Sequence, residues 1–240
     1  MKTLAIVPAY NEEETVGAVI LSLKERLPAL DIIVVNDGST DGTSEKAAAT
    51  KRALVVDLPC NLGIGGAVQT GFLYAVKEGY EAAFQFDGDG QHLASEVDKI
   101  LAPILAGEAD VVIGSRFLQG NEGFRSTFTR RAGIRLFQWV NSLLTGQRIT
   151  DNTSGFRAYN RKALIFLSRY YPSDYPEPEA VILLGRNGFR LKEVPVEMQE
   201  RTSGRSSITA FRSLYYMVKV LLAIFVTAIR PMQNPRSLLR

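Results

Sequence analysis

The chain has 240 residues, 46% of them hydrophobic and 22% charged, with a formal net charge of +3. That length suits one substantial domain, or one domain with an appendage, and the composition excludes a disordered, collagenous or disulfide-stapled chain. The single cysteine, Cys60, excludes an intrachain disulfide and fits a reducing compartment.

Lys2 is the only charge before an apolar run that is too short for a secretory leader, so the folded part is expected to stay in the cytoplasm. Leu4, Ala5, Ile6 and Val7 predict a first buried strand, followed by a loop through Pro8, Tyr10, Asn11 and Glu12. Val16, Val19, Ile20, Leu23 and Leu27 recur at helical spacing, and Pro28 ends that helix. Ile32, Ile33, Val34 and Val35 form an apolar, β-branched run, as expected of a strand covered on both faces. A dense turn signal from Asn36 to Thr43 leads into a short Ala-rich helix through Ala47, and residues 53–56 make a third strand.

Gly63, Gly65 and Gly66 open the next helix, which runs to about Lys77. A dinucleotide-binding loop would need its third glycine at position 68, where Val68 stands. Close approach of the backbone to a substrate, or a plain helix start, is the better reading. Residues 82–86 form a fourth apolar strand and end abruptly in Asp87-Gly88-Asp89. In an open α/β sheet, ligands bind outside the carboxyl ends of strands. Two carboxylates there need a counter-charge, and Mg²⁺ favours one or two carboxylates plus substrate phosphate oxygens. The pair therefore predicts a metal that holds a phosphorylated substrate.

Ser95 is placed to cap the following helix, with Asp98 three residues on, and that helix ends near Gly107. Residues 110–114 predict a fifth strand leading to Ser115, Arg116 and Phe117. Residues 120–127 read as a mobile loop, and Ile134, Phe137, Val140 and Leu144 as a helix. This alternation predicts an α/β fold with a doubly wound, mostly parallel sheet and helices on both faces.

In the second half, residues 150–157 pack polar groups and a glycine between two regular elements. Residues 174–180 contain Pro176, Glu177, Pro178 and Glu179, residues 191–198 alternate like a half-exposed strand, and residues 200–207 read as a flexible basic loop. From Glu200 to Arg240 there are seven basic residues and one acid, a net +6, whereas residues 1–199 sum to −3. Basic charge beside the most apolar run in the chain favours anionic lipid over nucleic acid as the partner surface. Residues 220–229 carry no charge, but a spanning helix needs about 20 apolar residues. An amphipathic helix lying on the membrane or docked on a membrane partner is expected, with a buried core helix as the alternative.

The order Pro8-Ala9-Tyr10-Asn11-Glu12, Asn36-Asp37-Gly38-Ser39, Asn61-Leu62-Gly63, Asp87-Gly88-Asp89-Gly90-Gln91-His92 and Gly114-Ser115-Arg116 resembles a family 2 glycosyltransferase with a GT-A fold. The blocks 151–157 and 201–206 resemble the dolichol-phosphate mannose synthase branch, which moves a sugar from a nucleotide diphosphate to a polyprenyl phosphate. The resemblance covers roughly residues 3 to 210, so the expected division is a catalytic domain over 1–210 and a membrane-associating segment over 211–240.

What the resemblance implies can be written residue by residue. Pro8, Tyr10, Glu12, Asp37, Gly63, Asp87 and Arg116 are expected at the nucleotide sugar, with Asp37 on the base or ribose. Asp87 and Asp89, helped by Gln91, are expected to hold Mg²⁺ or Mn²⁺ across the diphosphate. Asp89, Asp151, Arg157 and Arg201 are the expected catalytic residues, and Arg157, Arg201, Arg205 and Ser206 the expected ligands of the acceptor phosphate. Asp41 stays open between a turn cap and the site, His92 between metal and a structural hydrogen bond, and Glu177 and Glu179 between donor sugar hydroxyls and solvent.

The chemistry follows from charge. Loss of the nucleotide diphosphate leaves extra negative charge for a metal to stabilise, and attack from the opposite sugar face implies single displacement with inversion. A phosphate monoester has its second pKa near ~6 and is largely dianionic at neutral pH, so it needs cations rather than a strong base. A hydroxyl acceptor would need a carboxylate base, and Asp151 is the candidate. Two readings stay beside the polyprenyl phosphate one: transfer to a hydroxyl of a glycan, and a non-catalytic nucleotide-sugar-binding module. Many relatives carry two or more transmembrane helices after the catalytic domain, where this chain has one apolar segment. The expected partners are therefore the membrane surface at its cytoplasmic side, with a small membrane protein or a second copy of the chain, and no nucleic acid.

Overall fold

A computed structural model describes residues 1–118, 145–147 and 149–199, with positions 142, 219, 222, 223, 225–227 and 229. Seven strands form one sheet in the order β3-β2-β1-β4-β6-β5-β7. These are β1 (Thr3–Ala9), β2 (Asp31–Asn36), β3 (Leu54–Asp57), β4 (Ala82–Gln85), β5 (Val111–Ser115), β6 (Arg157–Asn160) and β7 (Leu191–Pro195). All neighbours pair in parallel except β6, which runs antiparallel to both β4 and β5.

The side-chain alternation of the strands builds two cores. Ala5, Val7, Ile32, Val34 and Phe84 point to one face, where α1 (Val16–Arg26), α2 (Thr43–Ala49) and α4 (Val97–Leu105) cover them. Leu4, Ile6, Ile33, Val35 and Ala83 point to the other, beneath α3 (Gly63–Lys77), α5 (Arg161–Tyr170) and α6 (Pro176–Arg186). Each helix turns a 3.6-period apolar stripe inward, as Val16, Val19, Ile20 and Leu23 do in α1. This is the doubly wound layout expected of the alternating pattern.

The structure departs from the expectations at three places. A short strand and two helices, β6, α5 and α6, occupy residues that had no assigned element. Their starts are nonetheless marked: the Asn160 side chain accepts the N–H of Ala163 at 2.9 Å, and Pro176 opens α6. Ser95 does not cap a helix. It lies exposed within a 3-10 turn (Ala94–Glu96), and Glu96 does the anchoring instead, its carboxylate accepting from Lys99 Nζ at 2.7 Å and Glu197 N at 3.1 Å. The strand expected to reach residue 198 stops at Pro195, beyond which Met198 only bridges to His92. The expected loop at 120–127 and the expected helix around 134–144 lie outside the described residues, apart from position 142.

Candidate active site

The carboxyl ends of the parallel strands deliver the site. β1 leads to Pro8, Tyr10 and Glu12, β2 to Asp37, and β4 to Asp87 and Asp89. With Asn61, Gly63 and Ile64 from the start of α3, these residues line one cleft of about 330 Å³. Seven of the residues predicted from sequence thus meet in one place.

Local chemistry fixes this geometry. Asp37 is 3% exposed, and its Oδ1 accepts the Leu62 N–H at 2.7 Å, so the carboxylate anchors the turn that opens α3. Gly38 has φ of 68°, and a Cβ there would stand 2.8 Å from the Asn61 nitrogen, so the two segments pass too closely for a side chain. Glu12 donates its N–H to Thr43 Oγ1 at 2.8 Å and accepts from Val16 N at 2.9 Å, joining the β1 loop to α1 and α2. Asp41 accepts from Thr43 N at 3.0 Å and Glu13 N at 3.3 Å, which is turn chemistry.

The two metal-motif carboxylates differ. Asp87 accepts from Gln85 Nε2 at 2.8 Å, and its other oxygen lies 3.1 Å from His92 Nε2. His92 is buried, and its ring stacks on Phe156 at 4.8 Å between centroids. It orients Asp87, which is the structural one of its two expected roles. Asp89 accepts the Gln91 N–H at 3.0 Å across a two-residue turn. Gly155 closes over Asp87: a Cβ there would come within 3.0 Å of Asp87 Oδ2 and 2.7 Å of Gln85 Nε2. Hard oxygen donors suit Mg²⁺ or Mn²⁺. Among the described residues no cluster of three His, Cys, Asp or Glu side chains could hold a metal alone. The donor set therefore fits a cation that completes its shell with substrate phosphate and water, and Asp89 and Asp87 are the residues that would hold it.

On the far side of Asp87, Arg116 and Asp151 form a bidentate pair. Arg116 donates from Nε at 2.8 Å and from its terminal nitrogen at 2.9 Å, and also from its backbone N–H at 3.1 Å. Burial opposes ionisation of Asp151, but the hydrogen bonds and charge of Arg116 outweigh it and hold the carboxyl below its ordinary value of 3.8. Glu193 on β7, which the sequence reading passed over, positions this loop by accepting Thr150 N at 2.8 Å and Asp151 N at 2.7 Å. Its signal was an acid in the inward register of a strand.

Arg157 corrects an expectation. It is 1% exposed, and its guanidinium donates to the carbonyls of Ser154 at 2.7 Å, Asn152 at 2.8 Å and Glu177 at 2.9 Å. A side chain spent on three backbone carbonyls beneath the surface does not receive an acceptor phosphate; it staples the 152–154 loop to α6. Glu179 is also structural, its two oxygens accepting from Tyr175 N at 3.2 Å and Thr227 Oγ1 at 3.0 Å. Arg201, Arg205 and Ser206 lie outside the described residues.

The model of glycosyl transferase family 2 matches residues 4–167, which contain every cleft residue named above. The chain belongs to glycosyl transferase family 2. It is a glycosyltransferase. The polyprenol monophosphomannose synthase of Mycolicibacterium smegmatis is 32% identical over 91% of this chain and 85% of its own length. The undecaprenyl-phosphate mannosyltransferase of Micrococcus luteus is 31% identical over 87% of this chain and 88% of its own. A glucosyl-3-phosphoglycerate synthase of Mycobacterium tuberculosis, solved with Mn²⁺, uridine diphosphate and phosphoglyceric acid, superposes with a TM-score of 0.68 at 21% identity, covering 96% of this chain and 79% of that one. That likeness concerns the fold, and it identifies the sheet of this family 2 glycosyltransferase as GT-A.

Proposed function

We propose that this glycosyltransferase moves a sugar from a nucleotide diphosphate to a polyprenyl phosphate, with inversion, at the cytoplasmic face of a membrane and with Mg²⁺ or Mn²⁺. The observation that carries the reading is the one cleft that Asp37 lines together with Asp87 and Asp89. Asp37 suits the N–H or O–H donors of a base or ribose. A divalent cation at Asp89 and Asp87 offsets the charge that gathers on the departing diphosphate. Gln85 and His92 keep Asp87 in place, the Gln91 N–H holds Asp89, and Arg116 adds a fixed positive charge close by.

The two relatives are named as a synthase of polyprenol monophosphomannose and a mannosyltransferase of undecaprenyl phosphate, which supports this acceptor class. Asp151 supports the same acceptor class here. Its carboxylate is engaged by Arg116, which suits a nucleophile that arrives already ionised better than a hydroxyl that must lose a proton.

The tail supports a membrane location. Leu222, Phe225, Val226 and Ile229 are 60%, 61%, 39% and 65% exposed and share the spacing of one helical face, while Thr227 is buried against Glu179. Lys219 is exposed as well. No helix among the described residues is long and apolar enough to cross a membrane, and an apolar face flanked by bases fits a segment lying on anionic lipid.

The test is a donor screen with short-chain polyprenyl phosphate, reading released nucleotide with Mg²⁺, with Mn²⁺ and with chelator. Release that requires the lipid phosphate and the metal is expected. Equal release with a glycan hydroxyl acceptor, or metal-independent release, would overturn the proposal.

A further inference from the structure

The cleft lined by Asp37, Asp87 and Asp89 is the one read above as holding the nucleotide and diphosphate of a donor. The donor sugar is bonded to that diphosphate, so its hydroxyls come next to the carboxylate pair. The first turn of α6 is tied to the loop that closes on Asp87. Arg157 holds the Glu177 carbonyl with one nitrogen and the carbonyls of Asn152 and Ser154 with the others. Gly155, in the same loop, closes on the Asp87 carboxylate.

Two acids occupy that turn, and they are used differently. Both oxygens of Glu179 are taken by Tyr175 and Thr227. The Glu177 carboxylate is half-buried and, among the described residues, accepts no hydrogen bond from any residue but itself. Burial pushes its carboxyl above the ordinary value; Arg157 opposes the shift and the Asp87 charge adds to it. A partly desolvated carboxylate with its acceptor sites unused is costly until a ligand satisfies it. Sugar hydroxyls are donors of the right kind, and a carboxylate can accept two at once.

We propose that Glu177 receives hydroxyls of the donor sugar and so selects which hexose is transferred. This rests on the glycosyl-transfer reading above. A hexose whose hydroxyl points elsewhere leaves the carboxylate unpaired, and sites built on hydrogen bonds reject such analogues far better than apolar pockets do.

The experiment is calorimetric titration, in Mn²⁺, of wild type and Glu177→Gln with uridine and guanosine diphosphates, bare and as their glucose, galactose and mannose derivatives. The variant should bind the bare nucleotide that wild type prefers within about two-fold, which also shows that it is folded. It should bind the corresponding nucleotide sugar about 10- to 100-fold more weakly, and its preference between epimers should narrow. Equal losses for bare and sugar-bearing nucleotide, undiminished sugar binding, or an unchanged epimer ratio would each overturn the assignment while leaving the donor class intact. A wild-type chain that binds none of the nucleotide sugars overturns the functional reading, and the role of Glu177 with it.

Discussion

Replacing Asp151 with asparagine tests the acceptor chemistry most directly. The carboxylate is 1% exposed and takes two side-chain hydrogen bonds from Arg116, at 2.8 and 2.9 Å. Asparagine keeps the shape but offers one acceptor oxygen and turns an amide donor toward the guanidinium. Two charge-assisted bonds at about 1.5–3 kcal/mol each set an upper bound of roughly 3–6 kcal/mol. The Arg116 side chain is 39% exposed, so water replaces part of what is lost. A loss of about 2–3 kcal/mol is expected, or roughly 4–12 °C in melting temperature for a chain of this size. The folded carboxyl lies below 3.8, so the pair contributes fully above that value and is lost only as pH falls through the folded one. The stability gap should therefore stay flat from about pH 5 to 8. With a phosphate acceptor no proton acceptor has been removed, and the rate should fall about 10-fold through the displaced arginine. Arg116→Ala combined with Asp151→Asn should add little to either alone. Loss of a general base would cost about 10²–10⁴-fold and abolish the acid limb of the pH–rate profile. Nucleotide release with polyprenyl phosphate across pH, alongside calorimetry, separates the cases. A thousand-fold loss with an unchanged melting temperature and no acid limb would refute the reasoning.

Arg157→Lys leaves at least one of three carbonyls without a donor and should cost about 1–3 kcal/mol in stability; a wild-type melting curve with only acceptor KM raised would return Arg157 to the acceptor site. Asp89→Ala should abolish turnover and the metal dependence of nucleotide binding, whereas Asp87→Ala should weaken donor binding; chelator titrations would show otherwise if Asp89→Ala kept normal metal-dependent activity. Gly155→Ala pushes a methyl against Gln85 and Asp87, at about 1–3 kcal/mol, and donor affinity should fall with it. Unaltered donor affinity in that variant would mean the 152–155 loop does not set the position of Asp87.

The first half of the fold was legible because its parallel strands are short, largely apolar runs, several of them leading directly into a motif. Ile32 to Val35 leads straight to Asp37, and Ala82 to Gln85 to Asp87. The second half was less so. β6 is four residues long, begins with a buried arginine and runs against its neighbours. In α5 the buried residues Ala163, Leu164, Phe166 and Leu167 are nearly contiguous, and such a run reads as strand or helix alike. The residues expected at the nucleotide meet in one cleft because each follows a strand in sequence order. The role of Arg157 was misread because its partners are carbonyls from two separate segments, and a carbonyl carries no signature of its residue. Asp151 and Glu193 meet through the pairing of β5 with both β6 and β7, which no local pattern encodes.

One consequence concerns how this architecture accommodates change. β5 ends at Ser115, and the hydroxyls of Ser115 and Thr150 are 2.9 Å apart. That bond holds together two points 35 residues apart in the chain. Lengthening such a loop costs only about 0.6 kcal/mol for each doubling. Insertions between Ser115 and Thr150 should therefore cost little stability, while the cleft at the ends of β1, β2 and β4 keeps its register.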